Sequence, residues 1–154
     1  MLRDVVLRMK TVTGEELSDV VAALWAKPIA ARLEHGEIDV VVPVPLHWWR
    51  RWRRGFNQSE VLARGIAREL GVPCRPDWLR CVRRTGEQKR LPPTARRENV
   101  HNAFQAAAWA ELADRTVLLV DDVMTTGATA HEAARALRRC RPAKIVVAVL
   151  AHGR

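Results

Sequence analysis

The last third of the chain carries two apolar, β-branched segments separated by one amphipathic segment, and this order restricts the fold more than any other feature. Thr116–Val120 and Lys144–Leu150 predict strands, and Ala128–Cys140 predicts the helix between them. A helix between two strands brings the chain back to the end of the sheet where the first strand began, so the two strands run parallel. The sequence therefore predicts an α/β fold with a central, largely parallel sheet flanked by helices.

The middle of the chain supplies further elements and contains no internal repeat. Ile38–Pro45 is a β-branched run typical of a buried parallel strand, and Ser59–Leu70 followed by Gly71 predicts a helix with a glycine stop. Short strands are expected within Pro73–Val82 and near Phe104.

The first residues predict a helical part of the same domain. A capping box at Thr13–Glu16 opens a helix that runs towards Glu34, with Pro28 kinking or dividing it and Gly36 ending it. A chain of 154 residues suits one core. We therefore expect one domain over 1–154, with a helical part at 1–36 and the core at 37–154.

Composition indicates a cytoplasmic protein. The longest apolar runs are far too short to cross a bilayer, so no membrane insertion is expected, and the first residues lack the apolar centre of an export signal. Cys74, Cys81 and Cys140 include no C-x-x-C pair, so we expect inert thiols and neither a zinc site nor a disulfide framework.

The positive charge is concentrated in one stretch. The net charge is +9, and residues 47–99 hold 14 basic and 5 acidic side chains, whereas the rest of the chain holds 12 of each. Such a block predicts an anionic partner, either a polyphosphate ligand or nucleic acid. The alternative is codon bias in a GC-rich genome, since arginine outnumbers lysine 22 to 4.

The segment Val117–Thr129 is the strongest candidate for a site. A strand leads into Asp121 and Asp122, and a loop of hydroxyls with Gly127 then opens a helix, whose N-terminus attracts anions. The hydroxyl groups of the loop can donate to a phosphate, and the carboxylates can accept from a sugar diol or help to hold Mg²⁺. Phosphate beside diol is the outline of a ribose 5-phosphate. The residues of the phosphate loop are Thr125, Thr126, Gly127, Ala128 and Thr129.

Structural alternatives exist for this segment. One aspartate can serve only as a helix cap, and threonines are ordinary turn residues. A P-loop is excluded because no Gly-x-x-x-x-Gly-Lys occurs. A receiver domain is excluded because its acidic pair lies early, whereas Asp122 is close to the end of this chain.

Val117–Thr129 resembles the phosphoribosyl pyrophosphate (PRPP) signature of type I phosphoribosyltransferases. The resemblance extends further in the ComF family of competence-associated, phosphoribosyltransferase-like proteins, where Pro43–His47 and Arg54–Gln58 match. Further matching positions are Arg50, Gln88, Leu91, Arg96, Asn99, Ala103 and Phe104.

This resemblance implies roles for individual residues. Asp121 and Asp122 would hold the ribose hydroxyls, with Mg²⁺ bound indirectly or through the ligand, and Arg96 would lie in a loop that closes over the reacting centre. The phosphate loop would take the 5-phosphate. The pyrophosphate side would be formed by Arg50, Arg54, Asn57 and Gln88.

Two features depart from the family pattern. ComF proteins often carry an N-terminal zinc module, which is missing here, so zinc is not expected. Several purine-type transferases place an acidic base where this sequence has Thr125, which weakens a purine-salvage interpretation.

The loop after Pro43–His47 has its own interpretation. Indoles interleaved with guanidinium groups can stack on unpaired bases while the charges follow phosphates. The alternative is that Trp49 or Trp52 packs beneath the loop and arginine stems cover it. The residues concerned are Trp48, Trp49, Arg51, Trp52 and Arg53.

Two functions therefore stay open. The first is binding of PRPP or a related ribose phosphate with Mg²⁺ and phosphoribosyl transfer to an unknown acceptor, linked by the resemblance to competence. The second is a non-catalytic module that binds single-stranded DNA and cooperates with the DNA-uptake machinery. A homo-oligomer is compatible with either function.

Overall fold

Parallel strands form the sheet that carries the candidate site. The computed structural model describes residues 24–33, 36–46, 56–83 and 98–152. Within them β1, β4 and β5 form a sheet of order β1-β4-β5, and both pairings are parallel. The elements with complete bounds are β1 (Val40–Pro43), α1 (Gln58–Leu70), β2 (Leu79–Cys81), β3 (Phe104–Ala106), β4 (Thr116–Met124), α2 (Ala128–Arg138) and β5 (Lys144–His152).

The predicted strand–helix–strand unit is confirmed as β4–α2–β5. Three ends differ from the prediction. Helix α2 ends at Arg138 rather than Cys140, and β5 ends at His152 rather than Leu150. The first strand was predicted to end at Val120, whereas β4 continues through the aspartates to Met124. The neighbouring strand explains the difference, since β5 also continues, and Met124 lies in register opposite His152. Because β5 continues beside β4, the backbone groups of β4 stay hydrogen-bonded beyond the apolar residues that end at Val120.

Helices cover both faces of the sheet. On one face, Leu62 and Ile66 of α1 pack with Leu118 and Val120 of β4. On the other face, α2 packs with the opposite side of β4, and Leu137 joins the second buried cluster. Burial on both faces accounts for the near-continuous apolar strands, and the layered α/β architecture predicted from the sequence is confirmed.

Helix α1 is fixed to the end of β1 by its N-cap. The side-chain oxygen of Asn57 accepts a hydrogen bond from the Ser59 backbone N–H at 3.2 Å, and its amide nitrogen donates to the Val44 carbonyl at 3.1 Å. Gly71 ends the helix in the left-handed conformation at φ +68°. The helix predicted at Ser59–Leu70 is thus confirmed, with its start one residue earlier.

The two short strands predicted in the middle of the chain pair as an antiparallel hairpin. Arg80 of β2 lies opposite Gln105 of β3, so both side chains are on the same face. The hairpin packs against α2 through Leu79, which is buried in the same cluster as Leu137.

Residues 24–30 are helical and pass through Pro28 without a break, so of the two predicted outcomes Pro28 does not divide the helix, and a kink there stays a prediction. Ala26 anchors this helix in the core. The capping box at Thr13–Glu16 lies outside the described residues, and the division into 1–36 and 37–154 stays a prediction. Within the described ranges, none of the helices has the length and apolar character needed to cross a bilayer.

Candidate functional site

The candidate site lies at the edge where β1 and β4 end. The Val44 backbone N–H donates to the Val120 carbonyl at 2.8 Å, so the chain that follows β1 starts directly beside Asp121. Asp121 is 7% exposed, and Asp122 is partly buried. The predicted meeting of the two strand ends at one edge of the sheet is therefore confirmed.

Asp121 is held by a contact between distant parts of the chain. The Ser59 hydroxyl in the first turn of α1 donates to Asp121 Oδ1 at 3.1 Å, and the Asp122 backbone N–H donates to the same oxygen at 2.9 Å. Asp122 Oδ1 accepts in turn from the Val123 backbone N–H at 2.8 Å. Hydrogen bonds of this kind fix the orientation of a carboxylate side chain.

The phosphate loop turns sharply before α2. Gly127 has φ +73°, and a Cβ placed there would lie 3.6 Å from Met124 Sδ, an ordinary contact. The position therefore needs glycine for its left-handed backbone rather than for space. The Ala128 backbone N–H donates to the Thr126 hydroxyl oxygen at 3.4 Å, which closes the turn at the start of α2.

The structure brings the predicted phosphate loop and Asp121 together. All five loop residues and Asp121 line one shallow depression of about 10 Å³. Thr125 and Thr126 are exposed, whereas Ala128 is buried. The depression holds about one water molecule, so a ribose phosphate would lie across the open edge of the sheet rather than inside a formed cavity.

Most of the other predicted site residues lie outside the described part of the chain. This applies to residues 47–55 of the arginine–tryptophan loop, predicted from His47 to Phe56, and to residues 88–97 of the Gln88–Asn99 segment predicted to close over the site. The predicted site residues among them, whose roles stay predictions, are Arg50, Arg54, Gln88, Arg96, Trp48, Trp49, Arg51, Trp52 and Arg53. Asn57 is described, and it is 6% exposed as the N-cap of α1. Its structural role is clear, and its contact with pyrophosphate stays a prediction.

The donor set around the aspartates bears on Mg²⁺. The described residues contain no group of three or more His, Cys, Asp or Glu side chains that could hold a metal ion. Mg²⁺ is commonly held by one or two carboxylates together with substrate phosphates. Asp121 and Asp122 fit that arrangement, in which the ligand completes the coordination.

The cysteines are free, and none lies among the residues of the depression. Burial raises the pKa of Cys74 to about 11, so this thiol is protonated near neutral pH, as expected of an inert side chain.

Sequence reasoning missed Ser59. It belongs to a run of three polar residues at the start of α1, Asn57, Gln58 and Ser59, all of which are buried in the structure. In the sequence, such a run at the start of an amphipathic helix is a weak hint of a role at a site. Nothing in the sequence indicates that Ser59 contacts a carboxylate 62 positions away.

Comparison with known proteins agrees with this geometry. The family described as "Phosphoribosyl transferase domain" matches residues 56–154, which is more than half of the chain. Competence protein F of Haemophilus influenzae is 40% identical over 102 residues, covering 66% of this chain and 44% of that protein. The DNA utilization protein YhgH of Escherichia coli K12 is 38% identical over 109 residues, covering 71% and 47% respectively.

Solved structures agree on the fold. Glutamine PRPP amidotransferase from B. subtilis superimposes with a TM-score of 0.58 at 22% identity, covering 89% of this chain and 27% of that one. Identity at this level shows the fold alone. The match spans under half of the length of competence protein F and of YhgH. The chain belongs to the phosphoribosyl transferase domain family and is similar, within it, to the ComF-type competence proteins.

Proposed function

We propose that the chain binds PRPP, or a closely related ribose phosphate, at the carboxyl edge of β4. The observation that carries the proposal is that Asp121, held in place by Ser59, lines the same depression as the phosphate loop. The threonine hydroxyls and the first backbone N–H groups of α2 donate to the 5-phosphate. The two carboxylates accept from the ribose hydroxyls, whereas they would repel a phosphate placed beside them.

Mg²⁺ belongs to the same proposal. It would supply positive charge that offsets the pyrophosphate of PRPP, and Asp121 and Asp122 would hold it indirectly or through the bound ligand. The protein's own contribution is to fix the two carboxylates before the ligand arrives. Asp121 accepts from the Ser59 hydroxyl and the Asp122 backbone N–H, and Asp122 accepts from the Val123 backbone N–H.

The reaction is transfer of the phosphoribosyl group to an acceptor that the site does not identify. The acceptor attacks the anomeric carbon, a new bond forms there, and the bond to the pyrophosphate oxygen breaks with its electron pair leaving on pyrophosphate. Arg50, Arg54 and Arg96 are proposed to bind the departing pyrophosphate, because one guanidinium group can donate two hydrogen bonds to the oxygens of a phosphate. Positioning and electrostatic stabilisation then supply most of the catalysis.

The biological setting is proposed from the names of the relatives. Those proteins are named for competence and for DNA utilization, so we place this chain in the handling of DNA in the cytoplasm. Three free cysteines suit a reducing compartment.

The test is a calorimetric titration of the purified protein with PRPP, with and without Mg²⁺, beside ribose 5-phosphate and pyrophosphate alone. We expect saturable binding of PRPP that tightens with Mg²⁺ and exceeds the binding of either fragment. Release of pyrophosphate from bound PRPP would then report turnover as acceptors are screened. Absence of saturable PRPP binding would contradict the proposal.

A matched pair of substitutions locates the binding. Thr126→Val removes a hydroxyl from the loop, and Thr116→Val makes the same change at the opposite end of β4. A hydrogen bond to a charged group contributes about 1.5–3 kcal/mol, so Thr126→Val should weaken PRPP binding by about tenfold or more. Thr116→Val should bind PRPP like the unmodified protein, and equal losses in both variants would argue against the loop.

A further inference from the structure

A second concave surface lies on the other half of α2. A groove of about 360 Å³ runs between α2 and the β2–β3 hairpin, and it shares no lining residue with the depression at the phosphate loop. Its described walls include Val82 and Phe104 from the hairpin and Arg135 and Arg139 from the end of α2. It is far larger than the depression.

The negative charge of the groove's acidic residue, Glu132, is balanced by a neighbouring arginine. Glu132 Oε2 accepts from Arg135 at 2.6 Å and from the Asn102 backbone N–H at 3.0 Å. Burial raises the pKa of Glu132, but these hydrogen bonds outweigh it and hold the pKa below its usual value. Glu132 is therefore a charged and fully engaged wall residue, and the groove keeps a net positive charge from Arg139.

Three donors around the groove lack acceptors in the described part of the chain. Arg135 uses its Nη2 for Glu132 and for Asn102 Oδ1 at 2.7 Å, whereas its buried Nε has no partner. Arg139 and Gln105 are exposed, and neither makes a side-chain hydrogen bond or ion pair with a described residue. A buried donor left unpaired costs about 1–3 kcal/mol. The donors that a ligand in the groove can reach are those of Arg139 and Gln105, which are exposed and line it.

The side chains that line the groove indicate which chemical groups a ligand there would have. Two guanidinium groups four residues apart are neighbours at the end of a helix and suit the several oxygens of a phosphate. Phe104 and Val82 offer apolar surface beside them, and Val82 is 53% exposed. The amide of Gln105 can both donate to and accept from the edge of a base.

We propose that this groove is a second anion site, which binds the phosphate of a nucleotide unit with Arg135 and Arg139 while the base lies against Phe104. The site is separate from the proposed PRPP site, so it goes beyond the proposed function and does not depend on it. Both sites lie on α2, and Arg135 follows Thr129 by about 9 Å along the helix axis.

The nucleotide unit can be free or part of a strand. Arg80 lies opposite Gln105 in the hairpin, and its guanidinium stacks 4.5 Å from the centre of the Trp109 ring, which is 53% exposed. Arg80 and Gln105 lie on the face of the hairpin opposite to Phe104 and Leu79, which face α2. A strand that passes over the edge of the hairpin would reach Arg80 and Trp109 with its next units, whereas a free mononucleotide in the groove would not. Comparing the affinity of a mononucleotide with that of an oligonucleotide therefore distinguishes a free nucleotide from a strand.

The test uses AMP, adenosine and an oligothymidylate as probes in equilibrium titrations. Arg139→Ala removes a donor of the groove, and Arg138→Ala removes an exposed arginine from the neighbouring position on the same helix without touching the groove. We expect AMP to bind more tightly than adenosine, with Arg139→Ala weakening AMP at least fivefold and Arg138→Ala having no effect. An oligonucleotide that binds tighter than AMP, and weakens with both Arg139→Ala and Trp109→Ala, identifies a strand as the source.

The PRPP site is separated from the groove by the double variant Asp121→Asn/Asp122→Asn. AMP is also a ribose 5-phosphate, so the proposed PRPP site can bind it as well. The groove proposal therefore predicts that this variant keeps one AMP site, and that Arg139→Ala weakens that site. Loss of AMP binding in the aspartate variant but not in Arg139→Ala would place the nucleotide at the phosphate loop and overturn the proposal. Equal binding of AMP and adenosine, or equal losses in Arg138→Ala and Arg139→Ala, would overturn it as well. None of these results depends on whether PRPP itself binds.

Discussion

The two ends of α2 adjoin different kinds of surface. Before its N-terminus, a depression of about 10 Å³ is formed by a continuous stretch of sequence, Asp121 and Val123–Ala130. Along its C-terminal half, a groove of about 360 Å³ is assembled from the hairpin, the chain before β3 and the helix itself. The first surface could be recognised in the sequence as a motif. The second is visible only once the three segments pack together, so motif analysis is biased towards sites that are contiguous in sequence.

The two surfaces also differ in how their charges are held. Asp121 is anchored by Ser59, which lies on another helix. Arg135 of the groove is anchored mainly within its own helix, by Glu132 three residues earlier, and by Asn102 beside the hairpin. Substitutions at α1 should therefore affect the depression and leave the groove unchanged.

The largest expected effect is loss of PRPP binding in Asp121→Asn/Asp122→Asn. Each charge-assisted hydrogen bond to the ribose contributes about 1.5–3 kcal/mol, so removal of both charges should weaken PRPP by about 100-fold or more while the fold is kept. Calorimetry measures the affinity, and circular dichroism checks the fold. The charge-matched control is Glu111→Gln/Asp114→Asn, which removes two exposed acids. An unchanged PRPP affinity in the aspartate variant would contradict the assignment of PRPP binding to the depression.

Ser59→Ala tests the anchor of Asp121. Ser59 is 4% exposed and its partner 7%, so loss of the donor should lower the free energy of unfolding by about 1–3 kcal/mol. It should also weaken PRPP severalfold, because the carboxylate is less well fixed. Ser59→Thr keeps the hydroxyl and should restore much of the affinity. If Ser59→Ala unfolds more easily but binds PRPP normally, the contact stabilises the fold without positioning Asp121.

Gly127→Ala tests the backbone of the phosphate loop against a control with the same strain. Gly127 and Gly71 have φ values of +73° and +68°, and neither would place a Cβ in a clash. Each alanine should therefore lower the free energy of unfolding by about 1 kcal/mol in urea denaturation. Only Gly127→Ala should also weaken PRPP. A similar loss of PRPP affinity in Gly71→Ala would mean that general destabilisation is the cause.

The smallest effect is expected at the wall of the groove and depends on pH. Because the fold holds the pKa of Glu132 below its ordinary value of 4.5, its stabilising contribution is present above that value and is lost as the pH falls through the lowered pKa. Glu132→Gln should reduce the free energy of unfolding by about 1 kcal/mol near neutral pH, and the difference should shrink in acid. Urea denaturation at both pH values measures it. A difference that stays constant with pH would show that the charge of Glu132 is not involved.

Much of the fold could be predicted from local sequence. The β-branched runs and the helical periodicity gave β1, α1, β4, α2 and β5 their type and approximate bounds, because each has an apolar pattern of its own. The extension of β4 through the aspartates could not be predicted, since Asp121 and Asp122 are poor strand formers and their pairing depends on β5.

The candidate site likewise has one part that could be predicted from local sequence and another that could not. The phosphate loop and the aspartates were predicted because their chemistry and spacing lie within thirteen consecutive residues. Ser59 could not be assigned, because its hydroxyl meets Asp121 only through the packing of α1 on the sheet. The cap at Asn57 shows the same dependence, since its amide contacts Val44 across the strand–helix connection.

The most direct test of two separate anion sites on one helix is a crossed titration. PRPP with Mg²⁺ and, separately, AMP are titrated into the unmodified protein, Asp121→Asn/Asp122→Asn and Arg139→Ala. Two separate sites predict that the aspartate variant loses PRPP and keeps the AMP site of the groove, while Arg139→Ala keeps PRPP and weakens AMP at that site. Loss of both ligands in the same variant would contradict them, because it would show that the two ligands share a single site.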